Sequence, residues 1–167
     1  MTFMTYLDNA IHKSLYTNMN LKPKQVVCLE AMYNNKDTVA ILPTGYGKSL
    51  IYQLLPPLLS KRISTQSDVE KAVVLVISPL NSLIDDQIKK INDCSELRAT
   101  FLSVDGVHGK NEECGTNENV NGLCDILFLH PEACLSSKNG LNTLSSAQYQ
   151  KHVQAIVIDE AHCILEW

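Results

Sequence analysis

Arginine is nearly absent from this chain: Arg62 and Arg98 are the only two in 167 residues. With 14 basic against 18 acidic side chains and a net charge of −4, no overall positive field is available to gather nucleic acid. Any such binding must come from particular residues. Seven glycines and six prolines are too few for a low-complexity or collagen-like segment. A hydrophobic fraction of 45% is too high for a disordered chain. No run approaches the ~18 consecutive apolar residues of a membrane helix. The N-terminal stretch MTFMTYLDNAIHKSL has no basic start leading into an apolar core, so no secretory signal is visible. There are six cysteines, but no C-x₂₋₄-C pair among them, and His130 and Cys134 are separated by Pro131 with no second pair to complete a site. Buried thiols are therefore expected, with no disulfide framework and no metal cage. These absences read as one soluble, intracellular, globular domain with no membrane partner.

From about residue 38 onwards, apolar runs alternate with helical patterns, the signature of repeated βα units and a parallel sheet. Strands are expected at Thr38–Leu42, Ala72–Ile77, Ala99–Ser103, Asp125–Leu129 and Val153–Ile158. Helices are expected at Gly47–Leu59, Leu80–Ile91 and Glu132–Leu144. In Leu80–Ile91, Leu80, Leu83, Ile84, Ile88 and Ile91 share one face while Asp85, Asp86, Lys89 and Lys90 take the other. Ahead of the first strand, Phe3, Tyr6, Leu7, Ile11 and Leu15 form an amphipathic stripe, and a second helix begins at Pro23. Lys61–Lys71 and Gly109–Gly122 read as surface loops.

The most informative segment is Thr38–Ser49, TVAILPTGYGKS, in which an apolar strand runs into Pro43-Thr44-Gly45-Tyr46-Gly47-Lys48-Ser49 and a helical pattern follows. Such a loop turns successive N–H groups toward phosphate oxygens at a helix N-terminus. Lys48 would neutralise the β- and γ-phosphates of ATP, and the Ser49 hydroxyl would ligate Mg²⁺. The general motif G-x-x-x-x-G-K-[ST] has glycine where this chain has Leu42. A plain glycine turn capping a helix is the competing explanation.

A second segment, AIVIDEAH, brings a buried strand to an end in Asp159 and Glu160. In a parallel sheet the carboxyl edge is also where a phosphate loop lies, so both motifs face one crevice. Asp159 would hold Mg²⁺ and Glu160 would orient the attacking water. His162 is followed by Cys163, with no H-E-x-x-H spacing, so coupling or structural work suits it better than metal binding.

Taken together, PTGYGKS with LIYQLLP behind it, VISPLNSLIDDQ, ILFLHPEA and IVIDEAHCILEW resemble, in order, motifs I, Ia, Ib and II of the RecQ-type DNA helicases of superfamily two. In that superfamily the first position of the phosphate loop is not always glycine. The resemblance implies an α/β fold: a RecA-like P-loop NTPase lobe, mostly parallel sheet with helices on both faces, incomplete at its C-terminus. It divides the chain into an N-terminal helix over 1–20 and the ATP-binding lobe over 21–167. Leu21-Lys22-Pro23-Lys24-Gln25 matches the motif that reads adenine, which implies that Gln25 bonds the base edge and Lys22 lies over its face. Ser78-Pro79-Leu80, with Asp86-Gln87, matches a segment that contacts the DNA backbone, and His130-Pro131-Glu132 matches another, with His in place of the usual Ser or Thr. His162 and Trp167 match residues that couple DNA to ATP hydrolysis, although Leu165 replaces the family's Ser.

The same resemblance implies 3′ to 5′ unwinding of single-stranded or forked DNA, a nuclear location, and a second RecA-like lobe with an arginine finger. The sequence contains no such lobe, and neither Arg62 nor Arg98 stands in a finger context. In RecA-like sheets the strand following the DEAH segment lies between the two nucleotide-binding strands. Without it a gap with unpaired edges is expected. The chain alone is thus expected to bind ATP–Mg²⁺ weakly and not to unwind DNA. A non-catalytic nucleotide- or partner-binding module is the alternative reading. A nucleotide kinase is disfavoured because it needs a basic lid.

Overall fold

The computed structural model describes residues 2–14, 20–64, 71–103, 106–108, 124–135, 142 and 144–166. Two helices come first, α1 over Phe3–Lys13 and α2 over Pro23–Tyr33, followed by α3 over Lys48–Ile63. Strand β1 (Val73–Ile77), helix α4 (Asn81–Cys94), strand β2 (Ala99–Ser103) and strand β3 (Gly106–His108) continue the chain. Strand β4 (Ile126–Leu129), helices α5 (Pro131–Leu135) and α6 (Ala147–His152), strand β5 (Val153–Ile158) and a short 3₁₀ helix over Ala161–Glu166 complete it.

The sheet runs in the order β3-β2-β4-β1-β5. Strands β2, β4, β1 and β5 are mutually parallel, and β3 pairs antiparallel with β2 at the far edge. Alternation along the strands splits the core in two. Val74, Val76, Ile126, Phe128 and Ala99 point to one face, against Leu54, Leu55 and Leu58 of α3, with Ile84 and Ile91 of α4 in the same cluster. Val73, Leu75, Leu102, Leu127 and Leu129 point to the other face, against Tyr149 of α6. At roughly 1.5–3 kcal/mol for each fully buried aliphatic side chain, these two layers supply the main drive to fold. The expected α/β lobe with helices on both faces is what forms. Among the described residues no helix is long and apolar enough to cross a membrane.

Four expected strands form within a residue of their expected bounds. The fifth does not: Thr38–Leu42 joins no sheet, and Lys36–Pro43 carry no regular structure. A strand needs a neighbour to take its N–H and C=O groups. The sheet ends at β5, and no further strand among the described residues lies beyond it. Val39 and Ile41 are accordingly 91% and 88% exposed, and only Leu42 packs against the core.

Helix α3 overruns its expected end at Leu59, passing through Pro56 and Pro57 to Ile63. The Ser60 hydroxyl donates to the Pro56 carbonyl at 2.7 Å. Buried Arg62 donates from Nη1 to the Tyr33 carbonyl, which ties α3 to α2. The helix expected over Glu132–Leu144 is observed only as Pro131–Leu135, and 136–141 lie outside the described residues. The loop expected at Gly109–Gly122 lies outside them as well, as does Leu15.

Candidate active site

Strand register brings three of the motifs to one edge. Ile77 at the end of β1 pairs with Leu129 of β4 on one side and Ile158 of β5 on the other. The residues that follow, Ser78, His130 and Asp159, therefore leave the sheet side by side. Ser78 N–H donates to the Leu129 carbonyl at 3.0 Å, and Asp159 N–H donates to the Ile77 carbonyl at 2.9 Å.

The phosphate-loop residues meet this edge from the N-terminus of α3. Gly45 and Gly47 hold φ of 75° and 91°, a left-handed region that glycine enters without a Cβ penalty. Gly47 caps α3 with no side-chain hydrogen bond, so the N-cap residue offers no side-chain acceptor to the N–H groups of the first turn. Lys48 Nζ reaches across to Glu160 Oε1 at 3.5 Å, with side chains 38% and 26% exposed. Ser49 follows Lys48 in the first turn and is half-buried. Open backbone donors, a lysine and a hydroxyl on one helix end suit a polyphosphate. Nothing within 4 Å occupies the Cβ direction of Gly45, so the cradle has room.

On the acidic side, Asp159 Oδ1 accepts from Glu160 N–H at 3.0 Å, and Glu160 takes a left-handed φ of 50°, rare for a residue with a Cβ. Burial, opposed by that backbone hydrogen bond, holds the Asp159 carboxyl above the usual aspartate range. Glu160 stands between two cationic candidates, with Oε1 toward Lys48 and Oε2 3.3 Å from His162 Nδ1. His162 is 75% exposed on its side chain, and Trp167 lies outside the described residues. A divalent cation would be held by Asp159 and Ser49, the hard oxygen donors of the pair of motifs.

Gln25 is brought to this site in a different posture from the one expected. Its side chain is 2% exposed. Nε2 donates to the carbonyls of Tyr46 at 3.1 Å and Gly47 at 3.0 Å, while Oε1 accepts from Lys22 N–H at 2.8 Å. The amide thus clamps the back of the loop, and would have to surrender these bonds to read a base. Lys22 Nζ lies 4.5 Å from the centre of the Tyr46 ring and 3.5 Å from the Gly45 carbonyl, a cation–π contact with the loop itself. Pro43 and Thr44 are exposed.

Along the rest of the edge, Ser78 is 2% exposed and its hydroxyl is turned inward, whereas Leu80 is 51% exposed. His130 Nε2 donates to the Pro79 carbonyl at 2.8 Å, and its Nδ1 faces the Glu132 carboxylate. Both ring nitrogens are thereby engaged. His130 ties the two expected DNA segments to each other and presents no free nitrogen to a phosphate. Pro131 is buried and Glu132 exposed. The tie from Gln53 on α3 to Gln87 on α4, at 2.9 Å, joins residues of two matched motifs through a contact that the motif reading does not predict, although a lone amide inside an apolar helix signals it.

Residues 22–167 match the DEAD/DEAH box helicase family. The chain is 35% identical over 164 residues to the probable ATP-dependent DNA helicase RecS of Bacillus subtilis, covering 98% of this chain and 29% of that protein. It is 32% identical over 146 residues to the ATP-dependent helicase SGS1 of Saccharomyces cerevisiae, covering 87% and 10%. To the ATP-dependent DNA helicase Q4 of Homo sapiens it is 35% identical over 146 residues, covering 87% and 11%. The chain thus spans between a tenth and under a third of the length of these relatives. A phosphate loop and an acidic pair converging on one sheet edge, together with these matches, mean that the chain belongs to the DEAD/DEAH box helicases, with RecQ-family helicases as its relatives.

Proposed function

We propose that this chain forms the nucleotide-binding lobe of a RecQ-type ATP-dependent DNA helicase. The observation that carries the reading is the approach of Lys48 to Glu160 at 3.5 Å, which joins motifs far apart in sequence across a single crevice. Bound ATP would supply the energy of phosphoryl transfer to water, and a divalent cation would offset the negative charge that develops on its phosphates. Lys48 is suited to meet the phosphates, Ser49 and Asp159 to hold the cation, and Glu160 to orient water. Lys22 and Gln25 border the loop on the side where a base would lie. Segments 78–80 and 130–132 are the candidates for the backbone of single-stranded or forked DNA, and His162 with Trp167 for coupling. Polarity of 3′ to 5′ follows from the family resemblance. So does a nuclear location, although a bacterial protein among the relatives means that family membership does not fix the compartment.

Strand separation needs a second lobe to close over the nucleotide. In related phosphoryl-transfer enzymes an arginine finger is worth about 10³–10⁵ in rate. Arg62 is spent on the Tyr33 carbonyl. The chain alone should therefore bind a nucleotide without turning it over at a helicase rate. Titration of a fluorescent ATP analogue with Mg²⁺ should give saturable binding that falls at least ~10-fold in Lys48→Ala, the loss of one charge-assisted contact. Binding unchanged in that variant would defeat the nucleotide reading. DNA-stimulated turnover at helicase rates by this chain alone would defeat the requirement for a second lobe.

A further inference from the structure

Helix α3 is apolar through its buried middle except at one position. Gln53 is 1% exposed, yet carries an amide. Its Nε2 donates to Oε1 of half-buried Gln87 on α4 at 2.9 Å, while its own Oε1 is buried with no hydrogen-bond partner among the described residues. Burying an incompletely satisfied amide is destabilising, and a methionine of similar length would fill the space without that cost. Cohesion between the two helices is therefore a poor explanation for Gln53.

Placement supplies a better one. Gln53 lies on the helix whose first turn carries Lys48 and Ser49. Gln87 lies on the helix that starts immediately after Ser78-Pro79-Leu80. One hydrogen bond thus joins the element that answers to the phosphate loop with the element that sets segment 78–80. The acceptor on Gln53 stays unfilled, and the buried hydroxyl of Ser78, likewise unpartnered among the described residues, lies in the segment that α4 follows. A side-chain pair that ties the element carrying one candidate site to the element that sets the other is a contiguous physical link of the kind that carries energetic coupling between sites.

We propose that Gln53 and Gln87 are positioning residues that link nucleotide occupancy to single-stranded DNA binding. The inference rests on the nucleotide and DNA reading given above. By linkage, such a pair makes each ligand change the affinity of the other by the same factor. The test uses the full chain, a fluorescent non-hydrolysable ATP analogue with Mg²⁺, and a single-stranded oligothymidylate. Analogue affinity is measured with and without saturating oligothymidylate, and the ratio is the coupling factor. A factor of at least ~5 is expected in the natural chain. In Gln53→Met the affinity for the analogue alone should stay within about twofold while the factor falls to ~1. Gln87→Met should also bring it to ~1, and the double variant no further, as for two members of one pair. A merely structural role would lower the melting temperature and leave the factor intact. Should Gln53→Met fail to fold, Gln53→Leu carries the test, because Gln87 itself stands in the segment matched to DNA contact. A factor of ~1 in the natural chain, or one that survives either substitution, overturns the proposal. Absence of any analogue or oligothymidylate binding is a different result, since it removes the underlying reading and the proposal with it.

Discussion

At the scale of single residues, two glycines separate conformational strain from close packing. Both Gly45 and Gly47 have positive φ, but a Cβ on Gly47 would stand 2.6 Å from Gln25 Nε2, whereas one on Gly45 meets nothing within 4 Å. Gly45→Ala therefore bears only the left-handed penalty of roughly 1–2 kcal/mol. Gly47→Ala bears that penalty and also pushes Gln25 off the Tyr46 and Gly47 carbonyls. Thermal melting should show the larger loss for Gly47→Ala, and equal losses would refute the clamp. Asp159 presents the opposite case, a residue held against stability. Its folded pKa is raised by burial, so the stability it contributes is full below the ordinary aspartate pKa and is lost as pH rises through the raised value. Asp159→Asn should accordingly raise the melting temperature at neutral pH, with the gain shrinking toward acid pH where Asp159 is protonated. The same change should abolish any Mg²⁺ enhancement of ATP-analogue binding. A variant less stable than the natural chain at neutral pH would contradict this account of the site.

Among the elements, legibility in the sequence followed length and periodicity. Val73–Ile77 is β-branched almost throughout and buried on both faces, so it forms where expected, and Val153–Ile158 forms beside it by parallel pairing although Ile156 and Ile158 stay exposed. Thr38–Leu42 has the same composition, but composition does not supply a hydrogen-bonding neighbour, and the segment carries no regular structure outside the sheet. Helix α6 was not legible. Six residues, AQYQKH, are too few to show a period, and its start is marked only by the Ser146 hydroxyl accepting from Tyr149 N–H at 3.3 Å. Its single buried tyrosine nonetheless packs into the second core layer. The candidate site was legible where chemistry fixes residue type, as at Lys48, Ser49, Asp159 and Glu160. It was not legible where geometry decides between partners. Nothing in the letter Gln25 says that its amide faces the loop, and nothing in His130 says that both ring nitrogens are taken.

For the whole molecule, the order of strands leaves β5 without an outer neighbour among the described residues. β5 ends the sheet on the side of the candidate site, and its outward residues Ile156 and Ile158 are 61% and 45% exposed. Ile164 and Leu165 just beyond are 44% and 97% exposed, while Ala155 and Val157 on the opposite face are packed against the main core. The edge strand, VQAIVI, has no proline and no charge, the features that usually keep an edge from pairing with another chain. Its only interruption is a register shift at Val73/Val74, at the far end from the site. Among the described residues no strand covers this uncharged edge, apolar but for Gln154; such an edge is a template for strand addition, and at high concentration the nearest supply of such a strand is a second copy of the chain. Self-association should therefore rise with concentration in sedimentation experiments. Ile156→Lys should suppress it, since that side chain is already mostly in water and a charge there costs the fold little. The analogue-binding site should be untouched by the change, because Ile156 lies on the strand rather than at its carboxyl end. If the mass distribution of Ile156→Lys matches that of the natural chain across the concentration series, the β5 edge is not the sticky surface, and the exposed pair Val39 and Ile41 becomes the next place to introduce charge.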